Sequence, residues 1–203
     1  MSYFKVEWIE QYLKIPPSIV FDIGSHNGWD GFRIKQKYPL AKVIAIEADK
    51  RLYDKMVGHK FCKGIDVYNY AVCDRDGDVL FYHNNGVRKG AGSILKPTQN
   101  ILRYEGMSFS EPAKVPCTRI DTFCKNNNIQ SIDIIHMDIQ GAEYEALIGL
   151  GNFRPKLIFL EVTNSNIYEN IKPAKDVLLS LNYKKIPVDD VTLGDELWIY
   201  ENK

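Results

Sequence analysis

Residues 18–28 read SIVFDIGSHNG, and this stretch decides the fold. A short apolar run carries Asp22 near its end, and Gly24 and Gly28 follow where a helix is predicted to begin. Glycine has no Cβ, so a ligand can lie against the backbone of such a turn, and the first N–H groups of the helix point towards it. A dinucleotide-binding turn has the spacing Gly-x-Gly-x-x-Gly, whereas His26 stands in the place of its second glycine. The stretch predicts a strand, a ligand-binding turn and a helix; the alternative is a plain strand-to-helix turn.

Short apolar runs alternate with helix-like stretches along the whole chain, as in a parallel sheet with crossover helices. The runs are almost entirely apolar, which is typical of strands covered on both faces. The predicted strands are 18–23, 42–46, 67–72, 79–82, 114–118, 132–137, 156–161, 183–186 and 196–200. The predicted helices are about 3–14, 28–38, 51–59, 120–127, 143–150 and 173–181. The last two strands have no helix between them, so they can pair antiparallel. The pattern predicts an α/β, Rossmann-like fold with a mostly parallel sheet, an antiparallel C-terminal strand and helices on both faces.

Composition limits the classes of function. The length of 203 residues fits a single domain, and Lys plus Arg equals Asp plus Glu at 26 each, which gives no electrostatic reason to expect nucleic acid or an anionic membrane as a partner. No apolar run reaches the roughly 18 residues of a membrane span, and the first residues lack the apolar core of a signal peptide. The four cysteines form no C-x-x-C pair and are expected to be reduced thiols: Cys62, Cys73, Cys117 and Cys124. We therefore expect a cytoplasmic location.

The second strand is followed by an acidic residue, Glu47. A carboxylate at this position can accept hydrogen bonds from both ribose hydroxyls of an adenosine ligand. NAD and S-adenosylmethionine both contain this ribose, so the acidic residue does not distinguish between them. Asp22, at the end of the first strand, is suited to the ammonium group of an aminoacyl ligand. Together the two acids predict a nucleoside site over the first two strands.

Residues 132–143, IDIIHMDIQGAE, place Asp138 at the carboxyl end of a predicted central strand, the edge where open α/β sheets bind ligands. Asp138 is the first candidate for a general base, with His26 and His136 as alternatives of more nearly neutral pKa. His136 lies within an apolar strand and could instead be packed in the core. Glu143 is a further catalytic candidate, although an acid in the first turn of a helix also favours the helix dipole.

Five segments occur in a fixed order between residues 18 and 163: VFDIGSHNG, IEAD, NYAVCD, TRIDTFCKNNNIQSIDIIHMDIQGAEYEALIG and IFLEV. Together they resemble the FkbM family of S-adenosylmethionine-dependent methyltransferases. The block from Arg119 to Glu143 is the most specific part of the match. Gln140 stands where the family usually has an acid, which puts a charge-based role there in doubt. His26 stands where the family tends to have a small residue.

The resemblance implies a class I methyltransferase fold with a seven-stranded sheet, S-adenosylmethionine as cofactor, and methyl transfer to a hydroxyl oxygen, often of a sugar. It implies these cofactor-binding residues: Asp22, Gly24, Ser25, Asn27, Gly28, Glu47, Ala48, Asp66, Ala71, Val72 and Asp138. The residues expected to face the acceptor are Ser93, Gln140, Glu161 and Asn164. The Gly-, Asn-, Ser- and Pro-rich insertion at 84–113 is expected to form a lid or acceptor wall.

Several alternatives remain open at this stage. Asp138, Glu161 and Asn164 follow neighbouring strands and could ligate Mg²⁺ or Mn²⁺, although a required metal is not favoured. The expected acceptor is a hydroxylated small molecule or glycan, most often a sugar. A non-sugar small molecule and a protein side chain are the alternatives. A non-catalytic cofactor-binding domain and an NAD-linked oxidoreductase are further classes. The position methylated and the oligomeric state are not defined by the sequence.

Overall fold

The computed structural model describes residues 4–162, 166–188 and 195–201. The strands are Ile19–Ile23 (β1), Lys42–Ile46 (β2), Asp66–Tyr68 (β3), Ala71–Val72 (β4), Gly77–Phe81 (β5), Ala113–Thr118 (β6), Ile134–Met137 (β7), Leu157–Leu160 (β8), Tyr183–Ile186 (β9) and Glu196–Tyr200 (β10). The helices are Glu7–Tyr12 (α1), Trp29–Lys37 (α2), Lys50–Met56 (α3), Ile120–Asn126 (α4), Glu143–Ile148 (α5) and Ala174–Ser180 (α6). None of the helices in these ranges is long and apolar enough to cross a membrane.

The main sheet has seven strands in the order β3-β2-β1-β7-β8-β10-β9. Its first five strands are parallel, and β10 is antiparallel to both β8 and β9. The predicted Rossmann-like sheet with an antiparallel C-terminal strand is therefore confirmed. The chain runs outwards from β1 to β2 and β3, then returns to the other side of β1 with β7. Ligands of open α/β sheets bind at such a switch point, beyond the carboxyl ends of the strands.

The third apolar run was predicted as one strand over 67–72, and the structure corrects this. β3 ends at Tyr68, and β4 belongs to a second, three-stranded sheet of order β4-β6-β5. The break falls at Asn69, whose side-chain amide donates to the carbonyl oxygens of Glu47 (2.8 Å) and Ala48 (3.1 Å). These bonds fix the point where the chain leaves the main sheet, and they lie beside the end of β2.

Each face of the main sheet has its own apolar core because side chains alternate along a strand. Phe21 and Ile23 of β1 pack in the cluster that includes α4, α5 and α6. Val20 packs on the other face, with Phe4, Ile34 and residues of α1 and α2. α1 occupies only 7–12 of the predicted range 3–14. Helices therefore cover both faces, and the polar strand ends are left at one edge.

Candidate active site

A pocket with about 480 Å³ of empty space lies at the carboxyl edge of β1, β2 and β7. Its lining brings together six of the predicted cofactor residues: Gly24, Glu47, Ala48, Ala71, Val72 and Asp138. It also includes four residues of the insertion at 84–113, Lys89, Gly90, Gly92 and Ile94, and residues that the sequence did not single out: Asp49, Leu52, Tyr70, Phe81, Ile139 and Ala142.

The glycine turn after β1 is as close to its neighbours as the sequence predicts. Gly24 has φ +80°, and a Cβ built there would overlap the backbone carbonyl oxygen of Asp138. Gly28, the N-cap of α2, has φ +77°, and a Cβ there would lie 2.5 Å from Cys62 Sγ. Only glycine fits both the left-handed backbone and the space. The turn therefore packs directly on the β7 strand end and leaves the pocket floor free of side chains.

Glu47 forms a buried wall of the pocket and is only 6% exposed. Its carboxylate accepts from the backbone N–H groups of His26 and Asp49, each at 2.8 Å. Burial raises the pKa of Glu47 to about 7, against the lowering effect of these two hydrogen bonds. Each carboxylate oxygen still has a free lone pair. The group can therefore accept hydrogen bonds from a ligand without moving.

Asp138, Gln140 and Glu161 form one hydrogen-bonded group at the ends of β7 and β8. The Gln140 amide nitrogen donates to Asp138 Oδ1 (2.7 Å) and to Glu161 Oε2 (2.6 Å). Burial, together with a hydrogen bond to Asp138 and its negative charge, raises the pKa of Glu161 to about 10. Glu161 is therefore expected to hold a proton at neutral pH. Gln140 stands where the family usually has an acid. Its amide nitrogen donates to both carboxyl groups and so joins them.

Glu143 does not line this pocket, but it lines a neighbouring cleft together with Glu161. It is 4% exposed, and its Oε1 accepts from the backbone N–H groups of Ile139 (3.1 Å) and Gly141 (3.3 Å). Burial raises its pKa to about 8, and the charge of Asp138 acts in the same direction. Glu143 holds the turn that carries Asp138, so its role here is in positioning.

Asp22 and His136 are paired beneath the turn, and neither lines the pocket. Asp22 is fully buried; its Oδ1 lies 2.8 Å from His136 Nδ1, and its Oδ2 accepts from Ser25 Oγ at 2.6 Å and from Gly31 N at 3.1 Å. Burial lowers the pKa of His136, but the bond to Asp22 and its charge raise it more, so that the pKa is raised overall. His136 also stacks on Phe159. The structure therefore places Asp22 and His136 in the buried layer under the turn, outside the pocket lining.

His26 lies at the mouth of the pocket on an exposed turn with φ +53°. Its ring packs on Gly90 of the insertion, because a Cβ at Gly90 would lie 3.0 Å from the ring carbon Cδ2. Partial desolvation lowers the pKa of His26, which the charge of Asp138 opposes. The backbone N–H of His26 is held by Glu47. Of the two histidines, this one is placed where a ligand could touch it.

The sequence profile described as "Methyltransferase FkbM domain" matches residues 22–185.

The chain belongs to the FkbM family of methyltransferases.

One relative is the 2-O-methyltransferase NoeI of Sinorhizobium fredii, which is 28% identical over 178 residues covering 84% of this chain and 73% of NoeI. Another is the AMB antimetabolite synthetase AmbE of Pseudomonas aeruginosa, 24% identical over 165 residues; the match covers 66% of this chain and only 8% of AmbE.

Among solved structures, the O-methyltransferase from Bacillus cereus in complex with SAH has a TM-score of 0.53 at 11% identity, covering 98% of this chain and 80% of that one. The precorrin-6y C5,15-methyltransferase from Geobacter metallireducens has a TM-score of 0.52 at 8% identity, covering 97% and 86%. These likenesses confirm the class I methyltransferase fold. As an FkbM methyltransferase, the protein is an enzyme of the S-adenosylmethionine-dependent class.

The other predicted site residues of this FkbM methyltransferase lie around the pocket or away from it. Ser25 supports the turn through Asp22, and Asn27 Oδ1 accepts from Trp29 N at 3.1 Å in the turn that leads into α2. Asp66 does not line the pocket; it begins β3, and its carboxylate pairs with Lys42 at 3.5 Å.

Ser93 does not face an acceptor. It is 1% exposed, and its hydroxyl donates to the carbonyl oxygen of Gln140 at 2.9 Å. Tyr168 makes a second tie, from its hydroxyl to the carbonyl oxygen of Ala91 at 2.9 Å. Together these bonds attach the insertion to the strand ends of β7 and β8.

Asp49 is the pocket residue that a reading of the IEAD segment could have found. It caps α3 by accepting from Arg51 N at 2.9 Å, and its carboxylate pairs with the Arg51 guanidinium. Arg51 also donates to Asn85 Oδ1 at 2.6 Å, which joins the base of the insertion to the wall beside Glu47. An Asp immediately before a predicted helix is the usual signal for such a cap.

Of the three residues considered for a metal site, Asn164 lies outside the described residues. Within the described ranges, no group of three His, Cys, Asp or Glu side chains is arranged to hold a metal ion. Asp138 and Glu161 are instead joined to each other and to Gln140.

Proposed function

We propose that the protein transfers a methyl group from S-adenosylmethionine to a hydroxyl oxygen of a saccharide. The observation that carries the proposal is that one pocket gathers the bare glycine turn, the ribose-type acid Glu47 and the strand-end acid Asp138. The name of the relative NoeI, a 2-O-methyltransferase, supports oxygen as the methylated atom. The acceptor class is carried over from the family resemblance.

The residues present fit S-adenosylmethionine. Gly24 lines the pocket without a side chain, so the aminoacyl end can lie against its backbone. Glu47 is held by two backbone N–H groups in the orientation that ribose hydroxyls need. Ala48, Ala71 and Val72 give an apolar wall for adenine, beside the β4 strand that leaves the main sheet.

When bound, S-adenosylmethionine supplies an electrophilic methyl group on a sulfonium sulfur. The protein has to hold the acceptor oxygen in line and take up its proton. We assign both tasks to Asp138, which lines the cofactor pocket and is fixed by Gln140. The acceptor hydroxyl donates to the Asp138 carboxylate, and its proton passes to that carboxylate as the oxygen bonds to carbon. His26, exposed at the mouth, is the alternative base.

The test is methyl transfer from radiolabelled S-adenosylmethionine to a panel of methyl pyranosides and short glycans. We expect transfer to a saccharide that Asp138→Asn slows by about 10²–10⁴-fold with S-adenosylhomocysteine affinity nearly unchanged. Loss of affinity in proportion to rate would make Asp138 a cofactor ligand instead. Full activity of the variant would shift the base to His26. Transfer only to non-sugar alcohols would overturn the acceptor class.

We also infer a cytoplasmic location. All four cysteines are free and buried, which suits a reducing compartment: Cys62, Cys73, Cys117 and Cys124.

A further inference from the structure

A second cleft opens at the same edge of the sheet, next to the cofactor pocket. It contains about 800 Å³ of empty space, partly open to solvent. Its walls come from segments that all meet at this edge: the end of β8 at Glu161 and Val162, the start of α6 around Pro173, and the start of β10 at Glu196. Ligands of open α/β folds bind outside the carboxyl ends of the strands. The cleft therefore has the location of a second ligand site.

The two cavities meet at the group formed by Asp138, Gln140 and Glu161. Asp138 lines the cofactor pocket, and Glu161 lines the second cleft. The Gln140 amide bonds to both carboxyl groups, at 2.7 and 2.6 Å. A molecule that binds against Glu161 is thus one hydrogen-bonded group away from the acid that faces the cofactor. This arrangement is what a two-substrate transfer reaction needs.

The walls of the cleft differ in chemistry. One side has three carboxyl groups, those of Glu143, Glu161 and Glu196, the last of which is fixed by Lys185 Nζ at 2.6 Å and Trp198 Nε1 at 3.0 Å. The other side has an apolar strip that includes Val162, 39% exposed, and Ile171, and it also carries Lys172 and Lys175. A pyranose ring has the same division, with a rim of hydroxyl groups and faces made of C–H groups. Apolar walls with a few fixed polar groups are typical of small-molecule sites.

We propose that this cleft binds the acceptor as a pyranose ring, with the reactive hydroxyl directed across Glu161 to Asp138. The inference rests on the proposed function, because it names the place and the form of its acceptor. Glu161 acts as a positioning residue: its carboxyl oxygen orients the sugar hydroxyl, and its bond to Asp138 keeps that carboxylate in place. The apolar strip at Val162 and Ile171 packs on a face of the ring.

The test fills the cleft without altering the cofactor pocket. Val162→Trp places a large ring on a partly exposed wall, and the matched control Leu179→Trp places the same ring on α6 at a site that is 59% exposed. With a methyl pyranoside that the native enzyme methylates, Val162→Trp is expected to raise KM by at least about tenfold, equivalent to about 1.4 kcal/mol. S-adenosylhomocysteine affinity should stay within about twofold. The control should match the native enzyme in both.

A binding measurement covers the case in which no panel sugar is methylated. Methyl-labelled Ile171 and Val162 should show saturable NMR shifts with methyl pyranosides in the presence of S-adenosylhomocysteine, and Val162→Trp should abolish the Ile171 shift. Methylation of a sugar with unchanged KM in Val162→Trp would overturn the cleft assignment and leave the proposed function standing. The absence of both methylation and NMR shifts would overturn both. Shifts confined to residues outside the cleft would place the sugar elsewhere.

Glu161→Gln and Glu161→Ala separate positioning from bulk structure. Glu161→Ala should raise KM for the sugar. Glutamine keeps the size and the neutral charge of a protonated Glu161, so Glu161→Gln should keep KM close to the native value. Equal KM values in the two variants would contradict a positioning role.

Discussion

Glu47 shows how far a single residue can be predicted from sequence. Its place after a strand was enough to put it at the ligand edge with Gly24 and Asp138, because parallel strands end together there. Asp22 and His136 also lie near strand ends, but they are buried outside the pocket lining. They are register partners in β1 and β7, and Asp22 shares the strand face of Val20, which faces the α2 core. Side-chain alternation along β1 predicts that Asp22 lies on the same face as Val20. The bond between Asp22 and His136 is a tertiary contact, which no local sequence pattern predicts.

Glu47→Ala tests the ribose assignment. Loss of charge-assisted hydrogen bonds should weaken S-adenosylhomocysteine binding by about 1–3 kcal/mol in a calorimetric titration. Asp66→Ala is the matched control, because Asp66 is an acid at the opposite edge of the neighbouring strand. The control should bind normally. Unchanged affinity in Glu47→Ala would mean that the ribose lies elsewhere.

The elements of the main sheet follow from the apolar runs, but the second sheet and the insertion do not. The run at 67–72 looks continuous in sequence, and only the bonds of Asn69 to the end of β2 show why it divides. The insertion has no periodicity because side-chain bonds to its backbone, rather than a regular element, order it, and Asn84 makes several of them. Asn84 is fully buried; it donates to Arg88 O at 2.8 Å and accepts from Gly86 N at 3.0 Å and Ser108 N at 2.8 Å.

Asn84→Ala should loosen the insertion selectively. The change leaves the amides of Gly86 and Ser108 without their acceptor, at about 1–3 kcal/mol for a buried unsatisfied group. Hydrogen exchange should become faster over 85–108 while the strands of the main sheet stay protected. Gln99→Ala, an exposed site in the same insertion, is the control and should leave exchange unchanged. Equal acceleration throughout the protein would show that Asn84 supports the whole fold instead.

The protection of the insertion should also depend on ligands, because Lys89, Gly90 and Gly92 line the pocket. We expect cofactor and acceptor together to slow exchange in the native insertion. Protection that is the same with and without them would argue for a purely structural insertion.

Across the whole molecule, buried acids at the ligand edge make stability depend on pH. Burial raises the pKa of Glu47 to about 7, of Glu143 to about 8 and of Glu161 to about 10, and the pKa of His136 is also raised. The folded protein therefore holds more protons than the unfolded chain once the pH exceeds the ordinary glutamate value, so unfolding becomes easier as the pH rises through this window. Hydrogen bonds, above all from Arg119, hold the pKa of Asp121 low despite partial burial. Its contribution to the free energy of unfolding is therefore lost only in acid.

The free energy of unfolding without ligand should accordingly be greatest near pH 5 and fall steadily towards pH 9, as followed by urea denaturation. Glu161→Gln removes one of the titrating groups and should flatten this fall. Stability that rises between pH 6 and pH 9 would contradict the burial of these acids in their protonated form.

The central claim is that the carboxyl edge of β1, β2 and β7 is an S-adenosylmethionine site, and thermal unfolding with S-adenosylhomocysteine tests it most directly. A ligand that binds only the folded state at 100 times its Kd stabilises it by about 2.7 kcal/mol. For a chain of this size that corresponds to a rise in Tm of roughly 5–10 °C. NAD, which shares the adenosine group, is the control and should give a much smaller rise, because His26 replaces a glycine of the dinucleotide turn. No rise in Tm at millimolar S-adenosylhomocysteine, or an equal rise with NAD, would contradict the account.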